Sequence, residues 1–222
     1  PQPAARNPQP AARSHRPPER IHKRSMAGNT RTGSIRPEPR AWSRYVALGD
    51  SMTEGVGDPG PDGTLGGWAD RLAALLSAHS PDFTYANLAI RGRRLADIAG
   101  RQVEDGLELE PDLVSIIGGG NDILRPGSDP DALAAELEQA VARIRATGAD
   151  VLMATPTDPS GAPVVERTRP KVAVYLAHLW SIADRQGAYL LNQWGLTFLS
   201  DWRMWEPDRI HMSPEGHRRI AL

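Results

Sequence analysis

From Tyr45 onward the chain alternates two periodicities, short apolar and β-branched runs that suit extended backbone and longer stretches with apolar residues every three or four positions. Parallel strands reconcile that alternation best, because joining two of them takes a crossover of a dozen or more residues, usually a helix. The expected strands are residues 45–48, 83–88, 113–117, 151–155 and 188–191. Between the first two, Trp68, Leu72, Leu75 and Leu76 fall on one helical face. After the third, Asp129 is placed to cap a helix, Pro130 suits its first turn, Leu133, Leu137, Val141 and Ile144 form its apolar stripe, and Gly148 ends it. A further helix is expected from about Pro170 to Gln186, stopping at Gly187. A last one opens with Ser213 as cap and Pro214 in the first turn, and Leu222 follows after little more than two turns, so a C-terminal truncation is expected there. Five parallel strands covered by helices make a three-layer α/β/α sandwich, in which ligands bind at the carboxyl ends of the strands.

With 222 residues, 40% of them hydrophobic, the chain suits one such domain rather than two. Its net charge of -1 hides an asymmetry: residues 1–44 carry ten Arg or Lys against Glu19 and Glu38, leaving 16 basic against 25 acidic residues in the remainder. The basic part opens with the near-duplication PQPAAR-N-PQPAAR and has too little apolar surface to offset the entropy of ordering it. Residues 1–43 are therefore expected to be disordered and residues 44–222 to form the domain. The first methionine is Met26, and translation is expected to start there. Trp42 is the sole aromatic residue in the basic segment, too few for a stacking platform, so no nucleic-acid partner is expected. The absence of cysteine excludes disulfides, thiolate metal sites and a thiol nucleophile. No run is long and apolar enough for a transmembrane helix and no secretory signal is visible, so the expectation is a cytoplasmic monomer.

The first strand runs directly into Gly49-Asp50-Ser51-Met52-Thr53-Glu54-Gly55, putting a serine at the carboxyl edge of the sheet between glycines that permit a tight turn. A serine hydroxyl is a weak nucleophile without a base and a site for the oxyanion, and both are sought at the same edge. Strand two ends in Asn87-Leu88-Ala89-Ile90-Arg91-Gly92, strand three in Gly118-Gly119-Gly120-Asn121-Asp122, and the segment before the last helix reads Asp208-Arg209-Ile210-His211.

Here the chain resembles the SGNH (GDSL-type) hydrolase superfamily of esterases and lipases, whose hallmark Ser, Gly, Asn and His lie in successive sequence blocks. Ser51, Gly92, Asn121 and His211 match them in order, with Asp208 in the D-x-x-H position; Met52 departs from the more usual leucine or phenylalanine without a large change in size. The resemblance implies a flavodoxin-like sandwich with a five-stranded parallel sheet and cleavage of a small-molecule carboxylic ester through an acyl-enzyme, with no cofactor and no metal. It also implies that Ser51, Asp208 and His211 form a catalytic triad, and that an oxyanion hole is made by the N–H groups of Ser51 and Gly92 and the amide of Asn121. Thioesterases, lysophospholipases and sugar deacetylases share the family, and a non-catalytic binding module on the same scaffold is the alternative.

His178 and His217 lie within helical stretches and are read as structural, and Asp50 and Asp122 as caps or loop hydrogen-bonders. Arg91, Arg93 and Arg94 cluster where a helix begins; pairing with Asp97 or Glu104 is favoured over recognition of an anionic substrate. Trp194, Trp202 and Trp205 are candidates to line an acyl or aromatic pocket or to seal the core. Residues 157–169 make a long loop at the same edge, a candidate lid. Gly55-Val56-Gly57-Asp58-Pro59-Gly60 spells a literal G-x-G-x-x-G, but Pro59 and Pro61 keep those glycines from opening a helix, so no dinucleotide site is expected.

Overall fold

The computed structural model describes residues 41–60 and 63–222. Five strands, β1 (Arg44–Gly49), β2 (Thr84–Asn87), β3 (Leu113–Ile117), β4 (Asp150–Ala154) and β5 (Tyr189–Leu191), pair in the order β2-β1-β3-β4-β5. Every pairing is parallel, with Tyr45 opposite Leu113 and Leu113 opposite Asp150 in register. All five strands lie within about one residue of where the apolar runs predict them. Residues 1–40, which hold most of the expected disordered segment, the PQPAAR repeat and Met26, lie outside the described residues. Two residues assigned to that segment are anchored: Trp42 Nε1 donates to Asp150 (3.0 Å), and the backbone N–H and hydroxyl of Ser43 donate to Asp112 (2.8 and 2.7 Å).

Side chains alternate across the strands, so each face of the sheet has its own core. Val46, Leu48, Val114, Ile116, Val151 and Met153 belong to one face, beneath α6 (Pro130–Arg145) and α7 (Arg169–Gln186). Tyr45, Ala47 and Leu113 belong to the other, beneath α2 (Trp68–Ser77) and α8 (Pro214–Ile220). Most local signals that set these helices are in place, although α6 ends at Arg145 with Ala146 as cap, short of Gly148. Asp129 accepts from Asp131 N–H at the start of α6, Gly187 takes a left-handed φ of 60° at the end of α7, and Ser213 accepts from Gly216 N–H at the start of α8.

Two further details depart from expectation. Leu75 is 46% exposed, while Trp68, Ala69 and Ala73 are buried and Leu72 and Leu76 half-buried. At 100° per residue the buried face centres near Ala69 and Leu76, because the two alanines let the helix approach the sheet closely and rotate Leu75 outward. Between β2 and β3, α3 (Leu95–Asp97) and α4 (Val103–Leu107) are joined through a π-helical turn, Ile98–Gln102, that no apolar periodicity announces.

Candidate active site

β1 ends at Gly49, Asp50 caps the next turn by accepting from Met52 N–H (3.2 Å), and Ser51 opens the short helix α1 (Ser51–Glu54), which Gly55 closes at φ 93°. A β-carbon on Gly49 would lie 2.5 Å from Thr53 Oγ1 and 2.8 Å from the carbonyl of Ile117, so this sharp turn tolerates no side chain there. The π-helical turn contributes as well. It directs the buried Gln102 at Gly49, whose N–H donates to Oε1 (2.8 Å) and whose carbonyl accepts from Nε2 (2.9 Å). Gln102 thus fixes the main chain two residues before Ser51, a contact across 53 positions that the sequence does not signal.

The segment 205–212 comes up to this turn from the other side of the chain, held by an antiparallel bridge between Trp205 and Met212 and by Glu206 N–H donating to the carbonyl of His211 (2.8 Å). Asp208 Oδ1 accepts from the N–H groups of Ile210 and His211, and Oδ2 lies 2.6 Å from His211 Nδ1. Arg209 completes the turn with φ 59°, a left-handed conformation a side chain adopts at a cost. Nε2 of the same imidazole is 3.0 Å from Ser51 Oγ. Burial raises the Asp208 carboxyl, but the two N–H groups and the imidazole outweigh it and hold the group below the ordinary carboxylate range. The structure therefore brings Ser51, His211 and Asp208 into one hydrogen-bonded line, with the carboxylate fixing the Nδ1–H tautomer and leaving the lone pair of Nε2 toward the serine.

Gly92 and Asn121 flank the same turn. Gly92 has φ 77°, and neither its N–H nor that of Ser51 donates to another protein group among the described residues. The loop carrying Gly92 is tied to α1 twice: Asn87 donates to the carbonyl of Thr53 (2.8 Å), and Arg91 donates to Glu54 through its backbone N–H (2.8 Å), Nε (2.9 Å) and Nη2 (3.1 Å). Asn121 stands in α5 (Gly120–Ile123), but its amide is not idle: Nδ2 donates to the carbonyl of Arg93 (2.9 Å) and to Asp50 Oδ2 (3.2 Å). Asp122 accepts from Leu95 N–H (2.9 Å), the loop role expected of it. Asp50 is buried, and burial pushes its carboxyl up to about 6 against the favourable pull of Met52 N–H and His211.

Ser51 lines a cavity of about 550 Å³. Trp194, Trp202 and Trp205 wall it together with Leu196 and Leu199, and residues 157–162 of the candidate lid line it too. That loop is pinned where Arg169 donates to Asp158 (2.7 and 3.0 Å) and stacks over Trp194. The arginine cluster lies elsewhere: Arg91 pairs with Glu54 and Arg93 with Asp97, whereas Glu104 pairs with Arg143. His178 bonds Asp131 at the surface, and His217 is fully buried away from Ser51, bonded to Trp68 N–H and the carbonyl of Val56. Gly55 ends a helix and Gly57 lies in a turn, so the G-x-G-x-x-G string opens none. Among the described residues no cluster of His, Asp or Glu is arranged to hold a metal ion, and no helix is long and apolar enough to cross a membrane.

Comparison with known proteins places this geometry in a family. The chain is similar in structure to LAE5, an α/β hydrolase enzyme from the metagenome of Lake Arreo, with a TM-score of 0.67 and 28% identity over 81% of this chain and 91% of that one. It shares its fold with Axe2, an acetyl xylan esterase from Geobacillus stearothermophilus, with a TM-score of 0.66 and 22% identity over 81% and 91% of the two chains. A curated relative, the uncharacterized protein YpmR of Bacillus subtilis, is 35% identical over 84 residues, a match that spans 36% of this chain and about a third (32%) of that protein. The family model of the GDSL-like lipases and acylhydrolases matches residues 47–219, from the second half of β1 to the last turn of α8. The chain belongs to the GDSL-like lipase/acylhydrolase family, within the SGNH hydrolases.

Proposed function

We propose that the protein cleaves carboxylic esters through an acyl-enzyme formed on Ser51. The observation that carries this reading is the continuous contact from Asp208 through His211 to Ser51 Oγ, 2.6 and 3.0 Å long, at the edge of an open cavity. In the first half-reaction Ser51 Oγ attacks the ester carbonyl carbon as its proton passes to His211 Nε2, while Asp208 holds Nδ1–H and stabilises the imidazolium. The tetrahedral oxyanion is met by the N–H groups of Ser51 and Gly92 and by the Asn121 amide, which exchanges its longer contact, the one to Asp50, for the developing charge. Collapse expels the alcohol, which takes the proton from His211. Water then attacks the acyl carbon with His211 again as base, and Ser51 is regenerated.

The test is covalent labelling and turnover together. A fluorophosphonate is expected to modify the folded protein but not Ser51→Ala, and p-nitrophenyl acetate, butyrate and longer esters are expected to be hydrolysed. Loss of Ser51 or His211 is expected to lower kcat by a factor on the order of 10⁴ or more, and loss of Asp208 by less. A folded sample that neither labels nor turns over any ester is a binding module and rejects this reading.

A further inference from the structure

The cavity beside Ser51 is walled mainly by ring and aliphatic carbon, which makes its buried polar side chains stand out. Gln193 begins a 3-10 turn (Gln193–Gly195) immediately after β5, at the carboxyl edge of the sheet. It is only 7% exposed and lines the cavity, yet its side-chain amide has no hydrogen-bond partner among the described residues. The other buried polar side chains in the wall are engaged: Thr155 Oγ1 accepts from Trp194 N–H (3.1 Å), Thr168 donates to the carbonyl of Val165 (2.6 Å), and Asp50 and Ser51 hold the bonds to Asn121 and His211. The contrast with Gln102 is informative. That glutamine is as buried, at 6% exposure, and both ends of its amide are spent on Gly49.

The amide is not among the fully buried side-chain atoms left without a partner, Thr53 Oγ1, Asp70 Oδ2 and Tyr85 OH, so it opens onto the cavity; an apolar group that covered it would leave it unpaired, at a cost that a leucine or methionine at this place would not carry. The amide becomes favourable when something entering the cavity satisfies it. An anionic occupant is a poor match, because the carboxylate of Asp50 lies at the serine end and the guanidinium of Arg209 is already stacked over Trp202 and donating to its carbonyl.

We propose that Gln193 is a specificity-determining residue: its amide binds an uncharged hydrogen-bonding group, a hydroxyl, ether or amide, on the part of the ester that enters the cavity. The preferred substrate then joins an apolar face, for the tryptophan wall, to one such group, and is not a plain hydrocarbon ester. This deepens the esterase reading of the same site and rests on it.

Two isosteric ester pairs test it on the full chain. p-Nitrophenyl methoxyacetate against p-nitrophenyl butyrate places the oxygen in the acyl part, and tetrahydropyran-4-yl acetate against cyclohexyl acetate places it in the alcohol part. Each kcat/KM is divided by the hydroxide-catalysed rate of the same ester, which removes intrinsic reactivity. The wild-type protein is expected to favour the oxygen-bearing member of at least one pair by about tenfold or more. Gln193→Met and Gln193→Leu are expected to bring that ratio to within about twofold of unity, while fluorophosphonate labelling reports that the serine is still competent. Wild-type ratios near unity in both pairs, or a preference that survives both substitutions, overturn the proposal and leave the esterase reading standing. No turnover and no labelling of folded wild-type protein overturns both. Because the wild-type ratios are decisive alone, a variant that misfolds does not remove the test.

Discussion

Asp50 immediately precedes Ser51, yet its carboxylate is aimed away from the serine–imidazole line, at Met52 N–H and the amide of Asn121. Burial is the largest influence on it and raises its pKa to about 6, the nearby Asp122 adding to the effect. An acid raised in the folded state binds more protons there than in the unfolded chain, so its contribution to stability falls as pH rises from about 4 to 6 and is constant above. Asp50→Asn keeps an acceptor for Met52 N–H without the buried charge. Its melting temperature is expected to match that of the wild type near pH 4 and to exceed it by several degrees above pH 6.5, on the order of 2 kcal/mol. Parallel melting curves across that pH range would sink the assignment. Residues of this kind divide what the sequence discloses. Ser51, Asp208 and His211 were legible as a set because strand ends and a D-x-x-H spacing place them locally. Asp50 was legible only as a cap, its link to Asn121 spanning 71 positions. Gln102 and Gln193 were not legible at all, since nothing local to either shows where its amide points.

At the scale of elements, the sequence disclosed whatever is written within a turn or two. Asp129 and Pro130 open α6, which ends at Arg145 with Ala146 as its cap and Gly148 in the turn beyond, Ser213 and Pro214 open α8, and the β-branched runs mark the strands. The π-helical turn and the exposed side of α2 escaped, because the first depends on Gln102 reaching Gly49 and the second on which face the small alanines let the sheet approach. The tie between α1 and the Gly92 loop is likewise set by tertiary packing, and it carries a prediction. Glu54 and Arg91 are partly exposed, so their ion pair contributes little to global stability, within about 1 kcal/mol. Three donors of Arg91 nonetheless converge on one carboxylate one residue before Gly92, which orients the N–H proposed to meet the oxyanion. Glu54→Gln is therefore expected to leave the melting temperature within a few degrees of wild type while lowering kcat by about tenfold, with a smaller change in KM. An equal fall in stability and in activity, or a change confined to KM, would instead make the clasp a general brace.

Across the whole molecule, the strand order puts β1 and β3 side by side in the sheet, so that the turns after them bring Ser51 and Asn121 to one edge, while His211 arrives from the far end of the sequence. That last arrival depends on how α8 docks, and α8 docks through His217. The imidazole is fully buried, its Nδ1 accepting from Trp68 N–H (3.2 Å) and its Nε2 donating to the carbonyl of Val56 (3.0 Å), which ties α8 to the start of α2 and to the loop after α1. Those partners require the neutral Nε2–H tautomer, for a proton on Nδ1 would face the N–H of Trp68. Burial accordingly lowers its pKa below the ordinary histidine value, against the pull of the Val56 carbonyl. The unfolded chain then binds the extra proton first, so the stability this histidine contributes is fully present above about pH 6.5 and is lost as pH falls below it. His217→Gln offers an acceptor to Trp68 and a donor to Val56 but does not titrate. At pH 8 the variant is expected to be less stable by about 1–2 kcal/mol, reflecting imperfect geometry, and the gap is expected to narrow steadily between pH 6.5 and 5. Thermal denaturation of both proteins across that range measures it, and a gap that stays constant with pH would show that His217 supports the docking of α8 by shape alone.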